Sequence, residues 1–390
     1  MSQCSSPVSS GRLAFLFVAF FLLYQTSLAV SPLRFPEVWY FGADSQEQLF
    51  RNPLSDWVAK KHPLFALLAT PLFHFASIVY SSLPEPLSVN LALAFPVAVF
   101  GAASVALGYW LFRRLGSDHE VALLFAALYG LGASTWVFAS FPDTYMLTSF
   151  ATVVFFCTYV VVRASTSWSA VANAAAALAS PQQVFLVIVP VYSFLRSEAF
   201  CSAARRAIQY GLILLILFVV PYEMWLTTSD EFGHRPDTAV LYFRSYSSLS
   251  NFIAPESYGT ILLNFFVFSL AGPSSRPFTY RFPFRTTGEW FQPFWIGVVV
   301  LYAMLAVISL HGLRKAHTES RRLVEGILLF VVFQGAFFLY FNPVEAFIYS
   351  GPLLFPWLLV LHEGFRQRTS RCCRALLAAV VLTVGWAIYS

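Results

Sequence analysis

Long apolar blocks separated by short polar stretches dominate the chain. Residues 13–30 and 91–112 are examples, and each approaches the ~20 residues that an α-helix needs to span a bilayer. The alternation of apolar and polar residues that is typical of membrane β-strands is missing. The pattern therefore predicts an all-α polytopic membrane protein.

About eleven transmembrane helices follow when the blocks are threaded through a membrane in order. The predicted spans are 13–30, 88–112, 120–140, 144–163, 168–181, 183–195, 206–227, 291–311, 323–341, 350–365 and 375–390. The two spans 168–181 and 183–195 are short and are interrupted at Ser180-Pro181-Gln182-Gln183, so a shallow hairpin is expected there.

Two further apolar stretches, 63–82 and 258–273, do not fit as crossings because each would invert the orientation of every later loop. We predict that both are re-entrant or interfacial helices on the external side.

Composition agrees with a membrane protein, since 58% of the 390 residues are hydrophobic and 11% are charged. The net charge of +5 lies in short clusters beside the apolar blocks rather than in a continuous patch, so no nucleic acid partner is expected. Of the 24 Lys and Arg, 15 lie in short loops: Arg12, Arg113, Arg114, Arg163, Arg196, Arg205, Arg206, Arg314, Lys315, Arg321, Arg322, Arg366, Arg368, Arg371 and Arg374. The positive-inside rule assigns these loops and the N-terminus to the cytoplasm.

Three regions follow from this topology. Residues 1–230 form a transmembrane module with a large first external loop at 31–62, residues 231–290 form a second external loop with an interfacial helix, and residues 291–390 form C-terminal transmembrane helices.

Ser27-Leu28-Ala29 also offers a small-x-small cleavage site, but the weakly basic start favours an uncleaved anchor over a signal peptide.

Ionisable residues just outside the helix ends on the external side are the candidates for chemistry. The first loop contains Asp44 and Glu47 and then Lys60-Lys61-His62-Pro63, and a short turn contains Asp143 and Tyr145. Arg235 and Arg244 lie in the second large loop, and Glu345 and Tyr349 lie in a late external turn.

The ordered set of Asp44, His62-Pro63 and Asp143 resembles the GT-C glycosyltransferase superfamily, which includes protein O-mannosyltransferase and aminoarabinose transferase types. The resemblance covers roughly residues 10 to 230 in the order of its elements. It implies inverting transfer of a sugar, such as a mannose-like hexose, from a polyprenyl-phosphate carrier to a lipid, glycan or protein acceptor. The active site would face the non-cytoplasmic side of a bacterial inner membrane or the endoplasmic reticulum.

The mechanism implied by this resemblance assigns roles to the candidates. Asp44 is the expected general base, and Asp143 orients the acceptor, binds a divalent cation with Asp44, or caps the following helix. Lys60, Lys61, His62, Arg235 or Arg244 would stabilise the departing phosphate. Glu47, Tyr145, Glu345 and Tyr349 are expected to line the substrate site, and a requirement for metal is left open.

Two other classes compete with the enzyme. A transporter or lipid flippase would place paired ionisable groups near the membrane midplane, whereas the acids here crowd one face. A non-catalytic scaffold with the same fold would keep the topology without needing Asp44.

Overall fold

The computed structural model describes residues 8–30, 62–85, 87–162, 165–227, 247–271, 293–341, 348–368 and 370–389. Every regular element within these ranges is helical, so the predicted all-α class is confirmed for the part of the chain that the structure describes.

The described ranges of the N-terminal half contain ten α-helices, which we number in chain order. They are α1 Ser10–Val30, α2 Pro63–Val79, α3 Leu87–Arg114, α4 His119–Leu131, α5 Ala133–Ser140, α6 Tyr145–Val161, α7 Thr166–Ala179, α8 Ile188–Ser197, α9 Phe200–Leu214 and α10 Val220–Thr227. A 3₁₀ segment at Pro181–Val187 joins α7 to α8, and a π-helical turn at Leu215–Val219 joins α9 to α10.

The C-terminal half contains six α-helices in its described ranges. They are α11 Pro255–Leu263, α12 Ser269–Ala271, α13 Pro293–Leu313, α14 Thr318–Phe341, α15 Gly351–Phe365 and α16 Arg371–Tyr389. A π-helical turn at Asn264–Phe268 joins α11 to α12, and 3₁₀ turns occur at Leu249–Phe252 and Ile348–Ser350.

Five helical stretches within the described residues are long and apolar enough to span a membrane: Ser10–Ala29, Leu87–Arg114, Phe200–Met224, Ile296–Leu313 and Thr318–Phe341. The pair α4 and α5 makes a sixth if the 59° bend between them is counted as one broken span. Large exposed apolar side chains such as Phe15, Ile78 and Val307 suit a lipid-facing surface. The chain therefore has the features of a multi-pass membrane protein.

The predicted count of eleven spans is not confirmed. Helices α6, α7, α8 and α15 lie where spans were expected, but they have 17, 14, 10 and 15 residues. At 1.5 Å per residue, a 14-residue helix rises about 21 Å, which is less than the ~30 Å hydrocarbon core. The apolar blocks predicted the positions of these helices, but turns at their ends shorten them.

The bundle has two ends, which we name by the residues gathered there. At the Asp143 end, His62 contacts the backbone of Ala179 and the ring of Tyr145. At the Arg366 end, the Arg366 guanidinium donates to the Leu115 carbonyl and to Ser320 Oγ. Arg113, Arg206, Arg321 and Arg374 from the short basic loops also lie at the Arg366 end, which is therefore the predicted cytoplasmic side.

Helix α2 lies in one half of the bundle rather than along its full length. His62, just before it, is at the Asp143 end, and Tyr80, just after it, donates a hydrogen bond to Gln25 and contacts the ring of Phe95. Gln25 is near the C-terminus of α1 and Phe95 is near the N-terminus of α3, so both belong to that same half. This packing favours the interpretation of residues 63–82 as an interfacial helix.

The segment from α11 to α12 enters the bundle from the Asp143 end. Ser248 N–H, just before this segment, donates to the carbonyl of Tyr340 near the C-terminus of α14. At the other end of the segment, the buried Ser269 carbonyl accepts a hydrogen bond of 3.1 Å from Ser134 in α5. The contacts favour the re-entrant interpretation of residues 258–273, of which 272 and 273 lie outside the described residues.

Helix α15 is the most enclosed of the longer helices, since all of its residues except Trp357 are buried. It packs beside α13 with the C-terminal ends of both helices together, and two glycines make this approach possible. A Cβ atom at Gly364 would lie 1.8 Å from the Ser309 carbonyl oxygen, and one at Gly312 would lie 2.1 Å from the Gly364 carbonyl oxygen. The two backbones are therefore in contact without intervening side chains.

We expect Gly364→Ala to destabilise the fold by about 1–3 kcal/mol or more, because the added methyl group would collide with backbone that has no free rotation. Gly297→Ala is the matched control, since Gly297 lies in α13 and a Cβ there would meet nothing within 4 Å. Thermal unfolding of the purified variants in detergent measures the difference. Equal melting temperatures for the two variants would contradict the packing described for α13 and α15.

Candidate functional site

Asp143 lies at the junction between α5 and α6, where the chain reverses. Its side chain is fully buried, and its Oδ1 accepts hydrogen bonds from Tyr145 N–H at 3.2 Å and Thr144 Oγ at 3.3 Å. A carboxylate at the start of a helix satisfies a backbone N–H that has no helical partner and interacts favourably with the helix dipole. Asp143 thus binds the first N–H of α6 from the position before the N-cap residue, Thr144.

His62 faces the same junction from the start of α2. Its Nδ1 lies 2.7 Å from the Ala179 carbonyl oxygen, at the C-terminus of α7. Because a carbonyl only accepts hydrogen bonds, Nδ1 carries the proton, and in the neutral imidazole Nε2 is then an acceptor. Thr148 in α6 donates to the same carbonyl at 3.4 Å, so α2, α6 and α7 meet at this point.

Aromatic rings line the other side of the junction. Tyr145 makes an edge contact with the His62 ring at 6.1 Å and another with Tyr349 at 5.8 Å between ring centroids. Tyr349 stacks on Phe338 at 4.2 Å with an interplanar angle of 10°, and Phe138 packs against Tyr145 at 5.6 Å. We call Phe138, Tyr145, Phe338 and Tyr349 the aromatic wall.

Four of the predicted site residues therefore lie together in space although they come from distant parts of the sequence. They are His62, Asp143, Tyr145 and Tyr349. The remaining predicted residues lie outside the described residues: Asp44, Glu47, Lys60, Lys61, Arg235, Arg244 and Glu345. Their roles remain predictions.

No group of three or more His, Cys, Asp or Glu side chains in the described ranges could hold a metal ion. Asp143 is a buried carboxylate at the Asp143 end of the bundle. A divalent cation held between Asp44 and Asp143 remains a prediction that depends on Asp44.

A buried polar layer surrounds the break between α7 and α8, and the sequence indicated only the break. With its amide oriented to suit its neighbours, Asn173 donates to the Gln183 carbonyl and accepts from Val187 N–H, both at 2.9 Å. Thr152 Oγ donates to Gln183 Oε1 at 3.3 Å, and Gln334 Nε2 in α14 donates to the Gln182 carbonyl at 2.9 Å. These contacts satisfy backbone groups that the helix break leaves without helical partners. The pair of glutamines after Pro181 was the available signal in the sequence.

A second polar cluster, at the Arg366 end, was not predicted. Ser117 Oγ lies 2.5 Å from His362 Nε2, and His362 Nδ1 lies 3.4 Å from Glu363 Oε1. Glu363 Oε2 in turn pairs with Arg366 at 2.9 Å. The order of serine, histidine and acid is that of a hydrolase triad, but the acid pairs with Arg366 and the His362 ring packs against the rings of Phe112 and Phe125. We interpret the cluster as structural.

Comparisons with protein-family models, curated proteins and solved structures found no match to this chain.

We expect Asp143→Ala to lower the free energy of unfolding by about 0.5–2 kcal/mol, because the start of α6 loses its side-chain acceptor. Asp143→Asn should cost much less, since the amide oxygen can still accept from Tyr145 N–H. Thermal unfolding in detergent compares the two variants. An Asn variant as unstable as the Ala variant would show that the charge of Asp143, and not its capping hydrogen bond, stabilises the fold.

Proposed function

We propose that this protein is a membrane glycosyltransferase of the GT-C type. It transfers a sugar, such as a mannose-like hexose, from a polyprenyl-phosphate carrier to a lipid, glycan or protein acceptor on the non-cytoplasmic side. The observation that supports this most directly is the meeting of His62, Asp143, Tyr145 and Tyr349 at one end of the bundle. These residues come from three segments that the sequence predicts to be external and to contain active-site residues.

Each group matches a need of the reaction. Inverting transfer requires a carboxylate that takes the proton from the acceptor as the new bond forms, and Asp44 is proposed for this role. Asp143 would orient the acceptor hydroxyl, because it is a buried carboxylate whose position is set by the start of α6. Glu47 and Glu345 would bind the substrate from the two loops that flank the same end.

The departing phosphate needs positive charge or hydrogen-bond donors. Lys60 and Lys61 immediately precede His62 in the chain, and His62 lies at the Asp143 end. Arg235 and Arg244 are the alternative cations from the second external loop. The aromatic wall would pack against the apolar face of a sugar ring or against the carrier chain.

Transfer of radiolabelled sugar by the purified protein in lipid vesicles tests the proposal, with a panel of polyprenyl-phosphate sugars as donors. We expect Asp44→Asn to lower kcat by about 10²–10⁴, which is the range for loss of acid–base catalysis. Asp143→Asn should lower kcat by about 10²-fold, because the acceptor would be misplaced. Glu120→Gln is the control, because Glu120 is an exposed acid at the opposite end that pairs with Arg374.

If Asp44→Asn leaves sugar transfer unchanged, the protein is still a glycosyltransferase, but a residue other than Asp44 is the general base. If no donor supports transfer by a folded protein, the glycosyltransferase proposal fails. A non-catalytic scaffold would then become the preferred interpretation of the fold.

One observation supports a transporter or flippase as a second candidate. The polar layer around Asn173, Gln183 and Gln334 lies at a broken helix inside the bundle, and such breaks often form transport sites. Movement of a labelled polyprenyl-phosphate sugar between leaflets, without cleavage of the sugar–phosphate bond, separates this candidate from the enzyme. Gln334→Leu should abolish such movement, whereas it leaves all the proposed catalytic groups in place.

A further inference from the structure

A cavity of about 200 Å³ lies at the Arg366 end, opposite the candidate active site. Four helices contribute to its lining: Tyr159 comes from α6, Ser193 and Ser197 from α8, Arg206 from α9, and Glu319 and Arg322 from α14. Ser320, next to Glu319, accepts a hydrogen bond from Arg366, which fixes the location of the cavity at this end. We call it the basic pocket.

Arg206 is held rigidly beside the basic pocket but still has an unused donor. Its Nη1 pairs with Glu198, its Nε donates to Thr166 Oγ at 3.0 Å, and its guanidinium lies 4.1 Å from the centroid of the Phe194 ring. Hydrogen bonds from Ser202 and Arg206 hold the pKa of Glu198 below its usual value, so this carboxylate remains charged at neutral pH. Arg206 Nη2 is buried and has no hydrogen-bond partner among the residues that the structure describes.

Arg322 offers a second guanidinium to the basic pocket. It makes no hydrogen bond or ion pair within the described ranges, although it is half-buried. Its neighbour Arg321 differs, because Arg321 Nε donates to Glu325 at 2.9 Å and does not line the pocket. The two adjacent arginines therefore have separate roles, and of these two Arg322 is the one available to a ligand in the pocket.

Guanidinium groups with unused N–H donors are typical ligands of phosphate oxygens. The hydroxyl groups of Ser193 and Tyr159 are further polar groups in the lining. Two arginines and one glutamate line the pocket, and Glu198 pairs with Arg206 from outside the lining, so the formal charges of these four groups sum to zero. A singly charged phosphodiester suits these surroundings better than a dianion. A buried donor without a partner is costly, so a bound phosphate would remove the cost at Arg206.

The surroundings indicate that the phosphodiester belongs to a lipid. Leu195 in α8 and Phe200 at the start of α9 are 51% and 76% exposed, and both belong to helices that line the pocket. Basic pockets between transmembrane helices on the cytoplasmic side are suited to lipid head groups. We propose that the basic pocket binds the phosphodiester of a phospholipid head group at the cytoplasmic face, separately from the glycosyltransferase site.

Thermal stabilisation of the purified full-length protein in detergent tests this proposal with three probes. Dihexanoylphosphatidylglycerol carries a singly charged phosphodiester, dihexanoylglycerol has the same chains without phosphate, and inorganic phosphate has no chains. A ligand that binds the folded state raises the melting temperature in a concentration-dependent way, which yields an apparent Kd. We expect dihexanoylphosphatidylglycerol to stabilise the wild type and dihexanoylglycerol to have no such effect.

Arg322→Gln should weaken binding of dihexanoylphosphatidylglycerol by about tenfold or more, because a charge-assisted contact is lost. Arg321→Gln is the matched control, since it removes the same charge from the adjacent position outside the pocket, and its apparent Kd should equal that of the wild type. Arg322 makes no hydrogen bond or ion pair with the residues that the structure describes, so its variant is expected to unfold like the wild type in the absence of lipid.

Inorganic phosphate could stabilise the protein as much as the lipid does, and Arg322→Gln could weaken that effect too. This result would support the phosphate site and identify free phosphate as its ligand. The proposal is overturned if neither phosphate compound stabilises the protein, if dihexanoylglycerol is as effective as the phospholipid, or if Arg321→Gln and Arg322→Gln weaken binding equally.

Discussion

The direct contact between the backbones of α13 and α15 is the constraint on which the rest of the bundle depends. It exists because Gly312 and Gly364 have no side chains at the point where the helices meet. This approach holds the last turn of α15 deep inside the bundle, with His362 and Glu363 fully buried. A buried carboxylate is tolerated only when it is paired, and Arg366 on the next turn supplies the partner. The Arg366 guanidinium then also reaches the Leu115 carbonyl and Ser320, so one side chain joins α3 and α14 to α15.

Two polar clusters at the Arg366 end differ in whether they line a cavity. Around Glu363, charges and hydroxyl groups meet each other within the protein, which suits a structural role. The basic pocket lies at the same end, but there the buried Nη2 of Arg206 lacks a partner among the described residues. Glu363 and His362 also have buried polar atoms without a hydrogen-bond partner among the described residues, but Arg206 lines a cavity that a ligand can enter. The resemblance of Ser117, His362 and Glu363 to a catalytic triad therefore carries less weight than the incomplete basic pocket.

At the Asp143 end, the helix break between α7 and α8 connects the candidate active site to the interior. The Ala179 carbonyl, which ends α7, lies within hydrogen-bond distance of His62 Nδ1, and the polar layer around Gln183 begins four residues later. The geometry of His62 is thus determined by the same break that exposes backbone groups to Asn173 and Gln334. A bundle of continuous helices would have no carbonyl available at this position, since it would be bonded within the helix.

The sequence by itself determined the helical class, the membrane character and the approximate positions of most helices, because these depend on local composition and on the length of apolar runs. It also marked His62, Asp143, Tyr145 and Tyr349 as candidates from their positions beside helix ends. It did not determine how many helices are long enough to cross, because an apolar run continues through a turn such as Pro181–Val187 without a change in hydropathy. Only the tertiary structure decided that the four candidates meet, that Asn173 and Gln334 contact the helix break, and that Arg322 rather than Arg321 lines a cavity. The physical reason is that the sequence around a polar residue in an apolar helix is the same whichever helix that residue faces. The rotation of each helix and its packing determine which residues meet, and both depend on contacts between residues distant in the chain.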